Sequence, residues 1–172
     1  VIELINKARK NEGIDISPLR ELLEKTLNED IIRKSNKDFG LVTVWWDKKI
    51  NPHPLYIEDI PNKRLIDYLI ASSSLPIFQL NRIDDKLFLD GMFFDNMPVS
   101  LLEQKGYEDI VVIRLLDDFL GKINLNKYQN INIKTIVPSA YLGGSLNKDK
   151  DNVQKNINLG YLDAMKAYDR YE

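Results

Sequence analysis

The chain of 172 residues has no cysteine and one histidine, His53. The missing thiol removes disulfides, thiolate zinc sites and cysteine nucleophiles from its chemistry, and is compatible with a reducing compartment. A single histidine leaves little room for a serine–histidine triad, and its proline-flanked setting in "NPHPL" predicts a surface position. No apolar run reaches the length a bilayer-spanning helix needs. Charge is not concentrated in either sign: 24 Lys and Arg stand against 26 Asp and Glu, a net of −2. That balance gives no electrostatic reason to expect nucleic acid as a partner. Internal repeats and low-complexity linkers are also missing. What remains is 44% apolar and 29% charged, ordinary for one globular domain with a real core. The chain opens on Val1 inside a helix-like segment, "VIELINKARK", so the expected natural N-terminus lies upstream.

Periodicity predicts an alternation of helices and strands. In "DISPLRELLEKTL", Ser17 can cap, Pro18 suits the first helical position, and Leu19, Leu22, Leu23 and Leu27 share a face. A short helix, "EDIIRKS", follows Asn28. "FGLVTVWW" is β-branched and aromatic and reads as a buried strand over 39–46. Trp45 and Trp46, adjacent on it, should face opposite ways. "KKINPHPLYIED" reads as its extended partner, kept to a sheet edge by two prolines. Helical spacing returns through Leu65, Ile66, Leu69 and Ile70. "NRIDDKLFLDG" reads as a hairpin turning at Asp84-Asp85. Pro98 opens a helix closed by Gly106. "DIVVIRLL" (109–116) is a continuous apolar run, which predicts a strand covered on both faces. "NINIKTIVPS" reads as a further strand and 150–171 as an amphipathic helix. The fold class is α/β, a layered mixed sheet flanked by helices.

Within this pattern "FLDGMFFDNMPV" (88–99) places a carboxylate at the end of an apolar strand. In open α/β sheets reactive groups collect beyond strand ends. Gly91 would let the backbone turn without a Cβ clash, and Asp95 or Asn96 could cap the helix near Pro98. On the dipeptide alone, a plain Asp-Gly turn is the commoner explanation. A metal site built from Asp84, Asp85, Asp90 and Asp95 lacks the alternate-position spacing of calcium loops. No Gly-x-Ser-x-Gly elbow occurs. "GGSLN" (143–147) lacks the final glycine, and the serines of "ASSSLP" (71–76) suit a helix end bonded to nearby backbone.

"IASSSLPIF" (70–78) and "LFLDGMFFDNMPVSLLEQKGYEDIVVIRL" (87–115) resemble the C-terminal half of the patatin-like acyl hydrolases. The shared features are an Ala-Ser-x-x-x-Pro-x-Phe segment, an Asp-Gly loop, an Asn-x-Pro helix start and a Gly-x-x-x-Ile-Val-Val strand, in that order. "DISPLRELLEKTL", "FGLVTVWW" and "VPSAYLGGSLNKDKDNVQKNINLGYLDAMKA" are similar to the flanking segments, so the likeness covers nearly the whole chain. It implies that residues 1–172 are the C-terminal portion of a single patatin-like α/β domain. It also implies a Ser-Asp dyad in which Asp90 takes the serine proton, with Gly91 and Asn96 supporting the loop, and no metal or organic cofactor. Met92 stands where the family more often has glycine or alanine, which predicts a narrower pocket. The family's serine and oxyanion loop precede the matched segments, so this chain alone should hydrolyse nothing at a meaningful rate. The implied substrates are phospholipids or related acyl esters, met at a membrane surface by a cytoplasmic, peripheral protein. A non-catalytic binding module on the same fold is the alternative.

Overall fold

The computed structural model describes residues 13–79, 81–115, 128, 130–143 and 149–168. The helix expected over 1–12, the "GSLN" of "GGSLN" and the last residues of the C-terminal segment lie outside them. The chain divides into two compact units, Val1–Pro98 and Val99–Glu172.

In the first unit, α1 (Ser17–Thr26) and α2 (Glu29–Lys34) precede β1 (Gly40–Asp47) and β2 (Lys49–Tyr56). Then come α3 (Leu65–Ser72), β3 (Asn81–Ile83), β4 (Lys86–Asp90) and a 3-10 turn, Gly91–Phe93. The strands form an antiparallel sheet in the order β2-β1-β4-β3, which puts the proline-bearing β2 at an edge as expected. A proline cannot donate to a ladder, so an edge is where it costs least. The β3–β4 hairpin turns at Asp84 and Asp85, both at positive φ (49° and 64°), a conformation that short aspartate side chains tolerate.

Residues facing each other across antiparallel strands share a sheet face. One face carries Leu41, Leu55 and Phe88 and is sealed by Leu65, Tyr68 and Ala71 of α3, with Trp45 against it. The other carries Val44, Leu87 and Leu89, with Trp46, Ile50 and Phe93 against them. The two tryptophans therefore do face opposite ways, and both are partly buried. Val44 and Leu89 are each 1% exposed; burying such a side chain is worth about 1.5–3 kcal/mol.

Two local expectations need correction. Ser17 does not cap α1: its backbone N–H donates to Asp15 Oδ1 at 2.9 Å, and the N-cap residue is Ile16. Leu19 and Leu22 of α1 are exposed rather than packed. Nor is α3 capped by its own neighbour. Glu29, on α2, accepts the Lys63 N–H at 2.8 Å and the Leu65 N–H at 3.2 Å, satisfying donors that a helix start leaves open. Arg33 holds Glu29 in place at 2.7 Å and donates to the carbonyls of Ile57 and Ile60, both at 2.8 Å.

The second unit contains α4 (Val99–Gln104), β5 (Asp109–Ile113), β6 (Asn132–Ile136) and α5 (Lys150–Ala167). Gly106, at φ +82°, closes α4 with Gly106 N–H to Glu103 O at 2.9 Å and Tyr107 N–H to Leu102 O at 3.1 Å. β5 and β6 pair in parallel. The expectation that β5 is covered on both faces fails. Ile110 and Val112 are buried, while Val111 is 46% and Ile113 66% exposed. A continuous apolar run does not say which face finds a partner; here only alternate residues do. On α5, Asp149 caps through Asn152 N–H at 2.8 Å. Asn156 donates to Leu142 O at 2.7 Å and Asp163 accepts from Ser139 N–H at 2.9 Å, tying this helix to its own unit.

Candidate active site

β4 is an apolar strand, Leu87-Phe88-Leu89 all buried, that ends on the carboxylate of Asp90. Its register sets Asp90 opposite Thr43 on β1. At Asp90 the chain leaves the ladder and becomes the N-cap of the 3-10 turn, with Asp90 Oδ1 accepting the Met92 N–H at 2.9 Å. The backbone N–H of Asp90 donates to the carbonyl of Ser74 at 2.9 Å, just beyond the C-terminus of α3. The preceding carbonyl, Leu89 O, accepts the Thr43 hydroxyl at 2.7 Å.

Gly91 is required by proximity. A Cβ at this position would lie 2.3 Å from Val42 O and 2.7 Å from Val42 C, closer than side chains approach backbone. The clash expected from the sequence thus has an identified source, the backbone of β1. Val42 O is itself held by the Ser72 hydroxyl at 2.7 Å.

Asp90 is partly buried. Burial pushes its pKa above the ordinary value of 3.8, and the Met92 N–H, which stabilises the ionised form, offsets part of that rise. A carboxylate so placed is a stronger base than one in water.

The other residues singled out from the sequence fall as follows. Asn96 is exposed, and the polar contact of its loop belongs to Asp95, whose Oδ1 accepts the Met97 N–H at 3.0 Å. That bond turns the chain just before α4 begins at Val99. Met92 contributes its backbone N–H to Asp90, and its side chain is partly buried. Asp84 and Asp85 lie at the opposite end of β4 from Asp90, and Asp84 pairs with Arg64 at 3.5 Å. Among the described residues no group of three His, Cys, Asp or Glu could hold a metal ion. The serines of "ASSSLP" do end the helix. Ser73 and Ser74 donate to carbonyls of α3, Ser74 Oγ reaching Ile70 O at 2.6 Å.

His53 is not the surface residue expected. It is partly buried on the face sealed by α3, its ring 5.8 Å from Phe88 and 6.3 Å from Tyr68. Burial lowers its pKa, Lys86 lowers it further, and Asp59 acts the other way.

Sequence reasoning missed Thr43 and the Ser74 carbonyl. A hydroxyl amid "LVTVWW" was the available signal for Thr43: a polar side chain in the middle of a buried strand must find a partner. Nothing in the sequence announces a main-chain carbonyl.

The family model described as patatin-like phospholipase matches residues 3–102. The span contains Asp90, Gly91 and Asn96 and stops short of β5, whereas the motif likeness extends further. No curated protein and no solved structure matches the chain.

Proposed function

Since the chain belongs to the patatin-like phospholipase family, whose members are lipid acyl hydrolases, we propose that it carries the aspartate half of a Ser-Asp dyad, with Asp90 as proton acceptor. In this reading residues 1–172 form the C-terminal portion of a single patatin-like α/β domain, and chain preceding Val1 supplies the serine and the oxyanion donors. The observation that carries it is a partly buried carboxylate with raised pKa, at a strand end, inside the matched span.

The steps are these. Asp90 takes the proton of the serine hydroxyl as its oxygen attacks the ester carbonyl. The tetrahedral oxyanion, held by backbone N–H groups, collapses and expels the alcohol, to which Asp90 returns the proton. Water then attacks the acyl-enzyme with Asp90 again as base, and as the bond to the serine oxygen breaks Asp90 returns that proton to it, releasing the fatty acid and restoring the serine hydroxyl. No metal or organic cofactor enters. The substrate is a phospholipid or lysophospholipid ester presented at a membrane surface, met transiently by a cytoplasmic, peripheral protein. Gly91 keeps the loop against β1, and Asn96 belongs to the same loop. Without the upstream residues the chain is inactive.

Asp90→Asn in the whole protein tests this. Hydrolysis of a phospholipid or short-chain ester should fall about 10³-fold or more, the scale of a lost general base acting in two steps, with circular dichroism unchanged. Turnover within a few-fold of wild type would remove Asp90 from the chemistry and favour a binding module on this fold.

A further inference from the structure

The peptide unit joining Leu89 to Asp90 is held at both ends by elements from different parts of the first unit. Its carbonyl, Leu89 O, accepts the Thr43 hydroxyl at 2.7 Å. Its N–H, on Asp90, donates to Ser74 O at 2.9 Å. Because a trans peptide points its C=O and N–H in opposite directions, the two bonds grip it from opposite sides. β1 supplies one grip, and the other comes from the chain just past α3, where β3 no longer reaches: β3 starts at Asn81, paired with Phe88. The position of Ser74 is fixed in turn by its own hydroxyl, which donates to Ile70 O at 2.6 Å.

Thr43 is 0% exposed. It touches no solvent and can meet no substrate. Its hydroxyl goes to the carbonyl of the residue just before the carboxylate. A peptide plane fixed at both ends fixes the N–Cα bond of Asp90, and the φ of −51° at that residue sets its Cα–Cβ bond relative to the plane. The carboxylate then has only its side-chain torsions to adjust, and the Met92 N–H holds one of its oxygens at 2.9 Å.

We propose that Thr43 is a positioning residue for Asp90: its buried hydroxyl, acting with the Ser74 carbonyl across the Leu89–Asp90 peptide, aims the carboxylate at the hydroxyl it must deprotonate. This rests on the reading of Asp90 as proton acceptor. Thr43 neither takes a proton nor contacts the ester. It removes the freedom of the base to point elsewhere, and a displacement of about 1 Å at a reacting group can cost 10²-fold in rate.

The test compares Thr43→Val, which keeps the shape and loses the hydroxyl, with Thr43→Ser, which keeps the hydroxyl, in the whole protein. Thr43→Val should lower kcat on a short-chain ester by about 10- to 100-fold with KM within about 2-fold. Thr43→Ser should recover kcat to within about 3-fold of wild type by keeping the hydrogen bond. If Thr43→Val does not fold, Thr43→Ser and Thr43→Ala form the same comparison, since they differ only in the hydroxyl. A second readout needs no turnover: the NMR titration of the Asp90 carboxyl carbon should differ between the wild type and the hydroxyl-free variant, and return with Thr43→Ser. Full kcat in folded Thr43→Val, or an Asp90 titration indifferent to the hydroxyl, overturns the proposal. Should Asp90→Asn prove active, the dyad falls, but the titration still decides whether Thr43 governs the Asp90 carboxyl.

Discussion

The two units solve the same problem, hiding an apolar sheet, to different extents. In Val1–Pro98 both faces of the four-stranded sheet are covered, and polar side chains within it, such as Thr43, have partners. In Val99–Glu172 the parallel pair buries Ile110 and Val112 and leaves Val111 and Ile113 to solvent. A two-stranded sheet has little area with which to stabilise itself. The candidate carboxylate belongs to the tighter unit. That is where a proton acceptor should be, because aim and a raised pKa both depend on neighbours that do not move.

One substitution type, glycine to alanine, reads this contrast directly. Gly91→Ala forces a Cβ to within 2.3 Å of Val42 O, and should destabilise by about 3 kcal/mol or abolish folding, as overpacking against immovable backbone does. Gly106→Ala meets nothing within 4 Å and suffers only from φ +82°, so about 1 kcal/mol is expected. Gly160→Ala, inside α5 and equally unobstructed, should stabilise by about 0.5–1 kcal/mol through the unfolded chain. Urea denaturation of the three variants gives the order. A Gly91→Ala loss no larger than that of Gly106→Ala would mean that β1 yields at Val42, and the contrast would break.

The smallest effect concerns pH. The folded pKa of His53 lies below its ordinary 6.5, chiefly through burial. The folded state therefore binds that proton less readily than the unfolded chain. The stability linked to His53 is complete above 6.5 and declines as pH falls through the window beneath it. Lys86 and Asp59 are the charges that act on it, and Tyr68 and Phe88 are the rings that pack on it. His53→Phe should flatten that decline in thermal melts; an equally steep slope in the variant would assign it to other groups.

Much of this was legible in residue order. The β3–β4 hairpin, the edge position of β2, the strand through Trp45 and Trp46 and the placement of Asp90 at a strand end all follow from local rules, and local rules are what a sequence writes down. Where two distant segments meet, the reading stopped. The cap of α3 comes from Glu29, more than thirty residues before it. Spacing favoured Ser17 as a cap, yet Asp15 reached its N–H first. The solitary histidine looked exposed between prolines, but the register of β2 turns it under α3. The apolar run at β5 hid which of its faces is covered. For the site, the carboxylate and its glycine were visible; the hydroxyl and carbonyl that fix the Leu89–Asp90 peptide were not, since their relation to Asp90 exists only once β1 and α3 have packed on β4.

The most direct measurement is the pH profile of kcat/KM for ester hydrolysis by the whole protein, which reports the ionisation of the free enzyme's base. Burial of Asp90 predicts one acidic limb displaced above the ordinary carboxylate value of 3.8, with rate rising as the proton leaves, and no measurable profile in Asp90→Asn. An Asp90→Asn protein that keeps both its turnover and an unshifted acidic limb would contradict the assignment.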